Sequence, residues 1–202
     1  MTAIVRDFKA DHPDMEGDTG TRKGLVEDTL GADNKPVYAP SGATPVTAGA
    51  ASFDQWYRDT TDVNMRFEQE LTLAEVSAGV FVFEDNDFFP LDGMGFPNEE
   101  VLGHNFHFTT EINATFLYQG GEVFTFRGDD DVFVFVNKRL ALDLGGVHAV
   151  QEATIDFDAQ ATSLGIQVGQ VYRLDVFHAE RHTSESNFRI ETSIECLGVV
   201  VD

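Results

Sequence analysis

From Met65 onward the chain breaks into short runs in which aromatic and β-branched residues either alternate with polar ones or follow one another directly. Turn-forming residues separate the runs, and this pattern predicts strands at Met65–Leu73, Gly79–Glu84, Asn105–Tyr118, Glu122–Arg127, Val132–Val136, Arg139–Asp143, Val171–His178 and Asn187–Glu195. In Val132-Phe133-Val134-Phe135-Val136 both alternating faces are apolar, which places this strand between two packed layers. Upstream, Pro36, Pro40, Gly42, Pro45 and Gly49 interrupt any periodicity between Gly31 and Ala51 and predict a long surface loop. Phe53, Trp56 and Tyr57 stand at i, i+3 and i+4 within Ser52–Arg58, the spacing of one helical face, with Ser52 as N-cap. Many short strands with turns between them mean an all-β sandwich or barrel.

The 202 residues suit one domain over 1–202, and 42% apolar content is enough for a core. The formal net charge of -22 is spread along the chain, so the surface repels phosphate backbones and no nucleic acid is expected as a partner. Spread acidity is both a solubility device and a pool of oxygen ligands for hard cations. Cys196 is the sole cysteine, which excludes an intrachain disulfide and a cysteine metal cluster. Between the apolar Ile194 and Leu197, it is expected as a buried thiol on the last strand. No apolar stretch approaches membrane-spanning length and Met1 begins no recognisable signal peptide, so membrane insertion is not expected.

The chemistry concentrates at Arg127-Gly128-Asp129-Asp130-Asp131, between two strongly apolar strands. Three adjacent carboxylates repel one another and lose hydration at a strand end, a cost that a cation or several donors must offset. If Asn137 and Lys138 form a two-residue turn, Val136 faces Arg139 and Val132 faces Asp143. Asp143, Gly145, Gly146 and His148 are then expected beside the aspartates, and an oxygen-only set suits calcium. The competing reading is that Asp simply favours turns and caps backbone groups there. A second polar stretch, His178 to Asn187, offers hydroxyls, carbonyls and a guanidinium of the kind that grips sugar hydroxyls. Zinc at His178, Glu180 and His182 is the weaker alternative, because i, i+4 spacing converges on a helix and not after a strand. His104 and His107 read as ordinary strand residues. Asp129 and Asp130 are too close in sequence to act as an acid and base about 5 to 9.5 Å apart, and no nucleophile elbow, phosphate loop or dinucleotide fingerprint is present. No enzyme is expected.

Taken together, Val5-Arg6-Asp7-Phe8, His12-Pro13-Asp14, Gln55 to Thr60, Phe88 to Gly93, His104 to Thr110, Gly128 to Phe135, Leu142 to His148 and Phe177 to Thr183 resemble the fibro-slime domain, over nearly the whole chain. Fibro-slime domains are similar to the lectin-like domain first named from anthrax protective antigen. The resemblance implies an antiparallel β-sandwich, lectin-like and jelly-roll-related, with one or two short helices. It also implies a calcium-dependent carbohydrate-binding module of a secreted or surface bacterial adhesin, with two aspartates joined by a cis peptide holding calcium against vicinal sugar hydroxyls. The matching metal residues are Asp129, Asp130 and, from the later loop, Glu180. The carbohydrate-binding set is Asp129, Asp130, Asp131, Gly146, His148, His178, Glu180, Arg181, His182, Thr183 and Ser184. Asp131 and Lys138 stand where relatives often carry Gly. The partner implied is a cell-surface glycan, the setting extracellular or cell surface, the module a monomer within a larger chain. A structural or protein-binding calcium sandwich and an accessory module of a glycan-processing enzyme are the alternatives.

Overall fold

The computed structural model describes residues 1–199. In chain order the elements are β1 (Thr2–Phe8), β2 (Gly20–Thr21), α1 (Ala50–Phe53), β3 (Asn64–Glu70), β4 (Ala74–Ser77), β5 (Val80–Asp85), β6 (Phe108–Tyr118), β7 (Val123–Gly128), β8 (Asp131–Val136), β9 (Arg139–Leu144), β10 (Gly146–Val147), β11 (Gln151–Asp156), α2 (Phe157–Leu164), β12 (Gln170–Glu180), β13 (Phe188–Thr192) and β14 (Gly198–Val199). One sheet runs β3-β1-β6-β12-β8-β9, with β14 also paired to β6; a second runs β11-β7-β13-β5-β4; β10 pairs with β2 apart from both. Every pairing between these strands is antiparallel. The expected antiparallel β-sandwich with two short helices is therefore the fold.

Alternation along the central strands builds two cores. Val132, Val134 and Val136 of β8 and Leu174 and Val176 of β12 face the second sheet, where Phe124, Phe126, Ile155, Phe188 and Ile190 meet them. Phe133 and Phe135 of β8, with Phe177 and Ala179 of β12, point the other way into a separate cluster with Leu25, Val26, Tyr38, Val46, Phe53, Trp56 and Tyr57. All six residues of β8 are buried, as its doubly apolar pattern predicts. Each such Val or Phe contributes about 1.5–3 kcal/mol by leaving water.

That outer cluster corrects the reading of 31–51 as a surface loop. Tyr38 and Val46 are buried there, so this segment is part of a lid over the outer face of the larger sheet. Helix α1 is only four residues long and begins after Gly49 with no side-chain cap, so Ser52 is not the N-cap; its hydroxyl donates to Asp14 Oδ1 at 3.0 Å. Phe53, Trp56 and Tyr57 do share one buried face, carried by the turns after α1.

Several elements carry no clear signal in the local sequence. Strand β1 holds buried Arg6 and Asp7, which weaken its apolar signal, and β11, Gln-Glu-Ala-Thr-Ile-Asp, buries only Ile155 fully. Helix α2 buries only Phe157 and Leu164; Asp156 caps it by accepting from Ala159 N at 2.9 Å, and Gly165 ends it with φ of 67°. His104 and His107 lie before β6, not within it. The last predicted strand ends at Thr192, and Cys196 is exposed in the connection to β14, because alternation stops before reaching it.

The β8–β9 hairpin has the expected two-residue turn, with Asn137 and Lys138 both left-handed at φ of 50° and 65°. Val136 faces Arg139, but a bulge between Val134 and Phe135 shifts the register, so Val132 faces Leu144 and Asp143 faces Phe133. Asp143 is thereby taken away from the aspartate run. It accepts instead from Gly24 N at 2.8 Å and Gly145 N at 2.9 Å.

Candidate functional site

The same alternation sorts the site residues between the two faces of the larger sheet. Asp131 falls on the outer face with Phe133 and Phe135, and so does Arg181, which follows Ala179 in step at the end of β12. They form a fully buried ion pair: Arg181 Nε donates to Asp131 Oδ2 at 2.7 Å, and Nη2 lies 2.6 Å from the same oxygen. Arg181 Nη1 donates to the carbonyls of Asp14 and Val46 at 2.8 Å each, and the guanidinium sits 4.5 Å over the Trp56 ring. Neither residue is open to solvent, which corrects the expectation that they touch sugar. They brace the lid against the sheet.

On the inner face lie His178 and Glu180. His178 is fully buried against Phe88, Phe108, Phe126 and Phe188, and its Nε2–H donates to the Asp129 carbonyl at 2.8 Å. Burial pushes its pKa down to about 4, which keeps the ring neutral at pH 7. It orients the Asp129 backbone and cannot reach a ligand. Glu180 is also buried; no donor meets its carboxylate oxygens in good hydrogen-bond geometry, and the nearby Ser186 hydroxyl and His182 N–H only partly offset its burial. Burial, then the charges of Asp130 and Asp129, holds its pKa well above the usual carboxylate range.

Between β7 and β8 the Asp129–Asp130 peptide bond is cis. Asp129 accepts from Asn187 twice, Oδ1 from the backbone N–H at 2.6 Å and Oδ2 from Nδ2 at 3.0 Å. Asp130 accepts from His148 N at 2.9 Å and from Arg181 N at 3.3 Å. Burial and the Asp131 charge push the Asp130 pKa up to about 8, although Arg181 and those two N–H groups pull it down. Both side chains front a cleft of about 270 Å³ whose walls include Thr19, His148, Thr183, Ser184 and Glu185, with His182 at its edge.

Of the sequence-predicted set, Asp129, Asp130, His148, His182, Thr183 and Ser184 thus meet at this cleft. Gly146 does not. Its N–H donates to Asp131 Oδ1 at 2.6 Å, and a Cβ there would stand 2.2 Å from the Gly20 carbonyl, so the glycine admits β2 rather than a ligand. Three further residues, outside the expected ligand set, shape the site. Asn187, at the end of the recognised polar loop, holds Asp129; Thr19 arrives from the lid; Glu16 accepts from Thr183 N at 3.1 Å and contacts His107 Nε2 at 2.8 Å. Nothing in the local sequence of Glu16 or Thr19 marks them, since only the fold brings the lid to this end of the sheet. Among the described residues, no three His, Cys, Asp or Glu side chains converge as a metal-holding group.

Residues 100–199 match the PA14 domain. The PA14 match takes in both aspartates, His148 and the whole polar loop after β12. Protein psiD of Dictyostelium discoideum is 39% identical over 211 residues, covering 96% of this chain and 41% of that protein. Protein psiR of the same organism is 37% identical over 212 residues, covering 96% of this chain and 21% of that protein. The chain therefore spans about two fifths or less of the length of these relatives. Among solved structures, a PA14 sugar-binding domain from an RTX adhesin aligns over 95% of this chain and 89% of its own, with TM-score 0.35 and 9% identity.

Proposed function

We propose that this chain is a carbohydrate-binding module of the fibro-slime type, dependent on calcium, and that it works as a monomeric unit of a longer extracellular or cell-surface protein in adhesion. The observation that carries this reading is the pair Asp129 and Asp130. Two carboxylates joined by a cis peptide and oriented by four N–H contacts face a cleft that a small polar ligand can enter. The residues present fit a hard cation. Asp129, Asp130 and the inner Glu180 offer oxygens only, and Arg181, a cation buried behind the cleft rather than in it, is already engaged by Asp131. Asp129 and Asp130 would hold the ion, with Glu180 contributing negative charge behind them and loop carbonyls of His182 to Glu185 available at the cleft wall. Bound calcium supplies open coordination positions to vicinal sugar hydroxyls.

The chain's own residues do the rest. Asn187 and the His148 N–H fix the two carboxylates so that their orientation is set before ligand arrives, which removes an ordering cost from binding. Thr183 and Ser184 offer hydroxyls at the rim. The matched relatives are Dictyostelium proteins, so the reading is not tied to a bacterial adhesin, and adhesion is proposed for the longer protein of which this chain would be one module. Glycan-array binding with and without chelator tests the reading: sugar binding that disappears on chelation and returns with calcium is expected, and sugar binding indifferent to chelator would refute the metal-dependent mechanism.

A further inference from the structure

A second cleft, of about 580 Å³, opens on the far side of the same loop, and Ser184 and Glu185 belong to the walls of both. Its floor is the ring pair Phe89 and His104, stacked at 4.1 Å between centroids and 14° apart. The pair is braced from behind. Phe106 packs edge-on to Phe89 at 5.0 Å, and His104 Nδ1 is bonded to Asp92, which also accepts from Asn105 N at 2.8 Å. Leu102, 48% exposed, flanks the rings. On the other wall stand Asn187, already bonded to Asp129, and Arg127, whose hydrogen bond to Asn86 is long at 3.4 Å.

Resting on the carbohydrate reading above, we propose that this cleft is a second sugar subsite, so that the ligand is an oligosaccharide laid across the Ser184–Glu185 ridge. Three features of the molecule lead there. The aspartate cleft lies below the roughly 300–1,000 Å³ of pockets that enclose drug-sized ligands, so it takes one sugar ring, whereas the second lies within that range. An aromatic and aliphatic floor ringed by amide, guanidinium and hydroxyl groups suits a pyranose, whose C–H face is apolar and whose edge is all hydrogen-bonding groups. The clefts adjoin, since Ser184 and Glu185 are exposed and line both, and Ser184 holds that ridge at φ of 150°, a backbone region side chains rarely adopt.

The test uses the intact chain with calcium on an array carrying methyl monosaccharides beside their di- and trisaccharides, followed by titration of the best pair in solution. The subsite predicts that a disaccharide binds about tenfold more tightly than the corresponding methyl glycoside. Phe89→Ala should remove that gain while leaving methyl glycoside affinity and calcium-linked melting unchanged. Leu102→Ser, at an exposed position with no fold to lose, should remove part of it. Equal binding of mono- and disaccharide, or equal loss of both in Leu102→Ser, overturns the subsite and leaves the calcium-held sugar in place. Absence of binding to any member of the array, with calcium still raising the melting temperature, overturns the carbohydrate reading itself and the subsite with it.

Discussion

At the level of single residues, each carboxylate of the Asp129–Asp131 run has a different task, although the sequence presents them as equals. Asp131 is neutralised by Arg181, and removing either partner leaves a buried charge alone. Arg181→Met should therefore destabilise by about 3–5 kcal/mol, measured by denaturant unfolding, and loss of under about 1 kcal/mol would mean that water reaches Asp131. Asp130 is at a strand end beside the cleft, outside both apolar cores. Asp130→Ala is expected to keep the fold and to lose calcium and glycan binding together, because a hydroxyl can coordinate a cation only where the cation is held. Retained glycan affinity in a variant that no longer takes calcium would assign recognition to the loop alone. The triple run was legible as a site; the division of labour was not, since alternation acts on side chains only once the strand boundary at Asp131 is known.

Among the elements, the β8–β9 hairpin links sequence to site most directly. Its turn was legible because Asn137 and Lys138 separate two apolar runs, but the bulge beyond Val134 was not, and it moved Asp143 out of the expected cluster. Lys138 occupies the left-handed region, where a side chain costs about 1–2 kcal/mol relative to Gly before Gly's own entropy is counted. Lys138→Gly should raise stability by up to about 1 kcal/mol without altering the cleft. A drop in melting temperature would show that the lysine side chain has a packing role. Strand β1 escaped notice because buried polar residues such as Arg6, bonded to Asp59 and Glu111, erase the apolar pattern while remaining satisfied inside the fold, and β11 because Ile155 is its one fully buried side chain.

For the whole molecule, the site is a joint product of the sandwich and its lid. Arg181 ties β12 to the carbonyls of Asp14 and Val46, Glu16 holds Thr183, and β2 pairs with β10 beside the aspartates. If calcium binds only the folded chain, free calcium at about 100 times its dissociation constant adds about 2.7 kcal/mol, which scanning calorimetry with and without chelator would read as a rise in melting temperature. An unchanged transition would remove the cation from the account. The sequence alone determined the β-rich class, the doubly buried course of β8 and the acidic centre at 129–131, because period-two alternation and local charge density are written in consecutive residues. Tertiary structure decided that the loop over 31–51 seats Tyr38 and Val46 in the outer core, that Asp131 and Arg181 are a hidden pair, and that Asn187, Glu16 and Thr19 join the site. Those contacts join residues far apart in the chain, and no local pattern encodes which distant backbone will arrive at a strand's end.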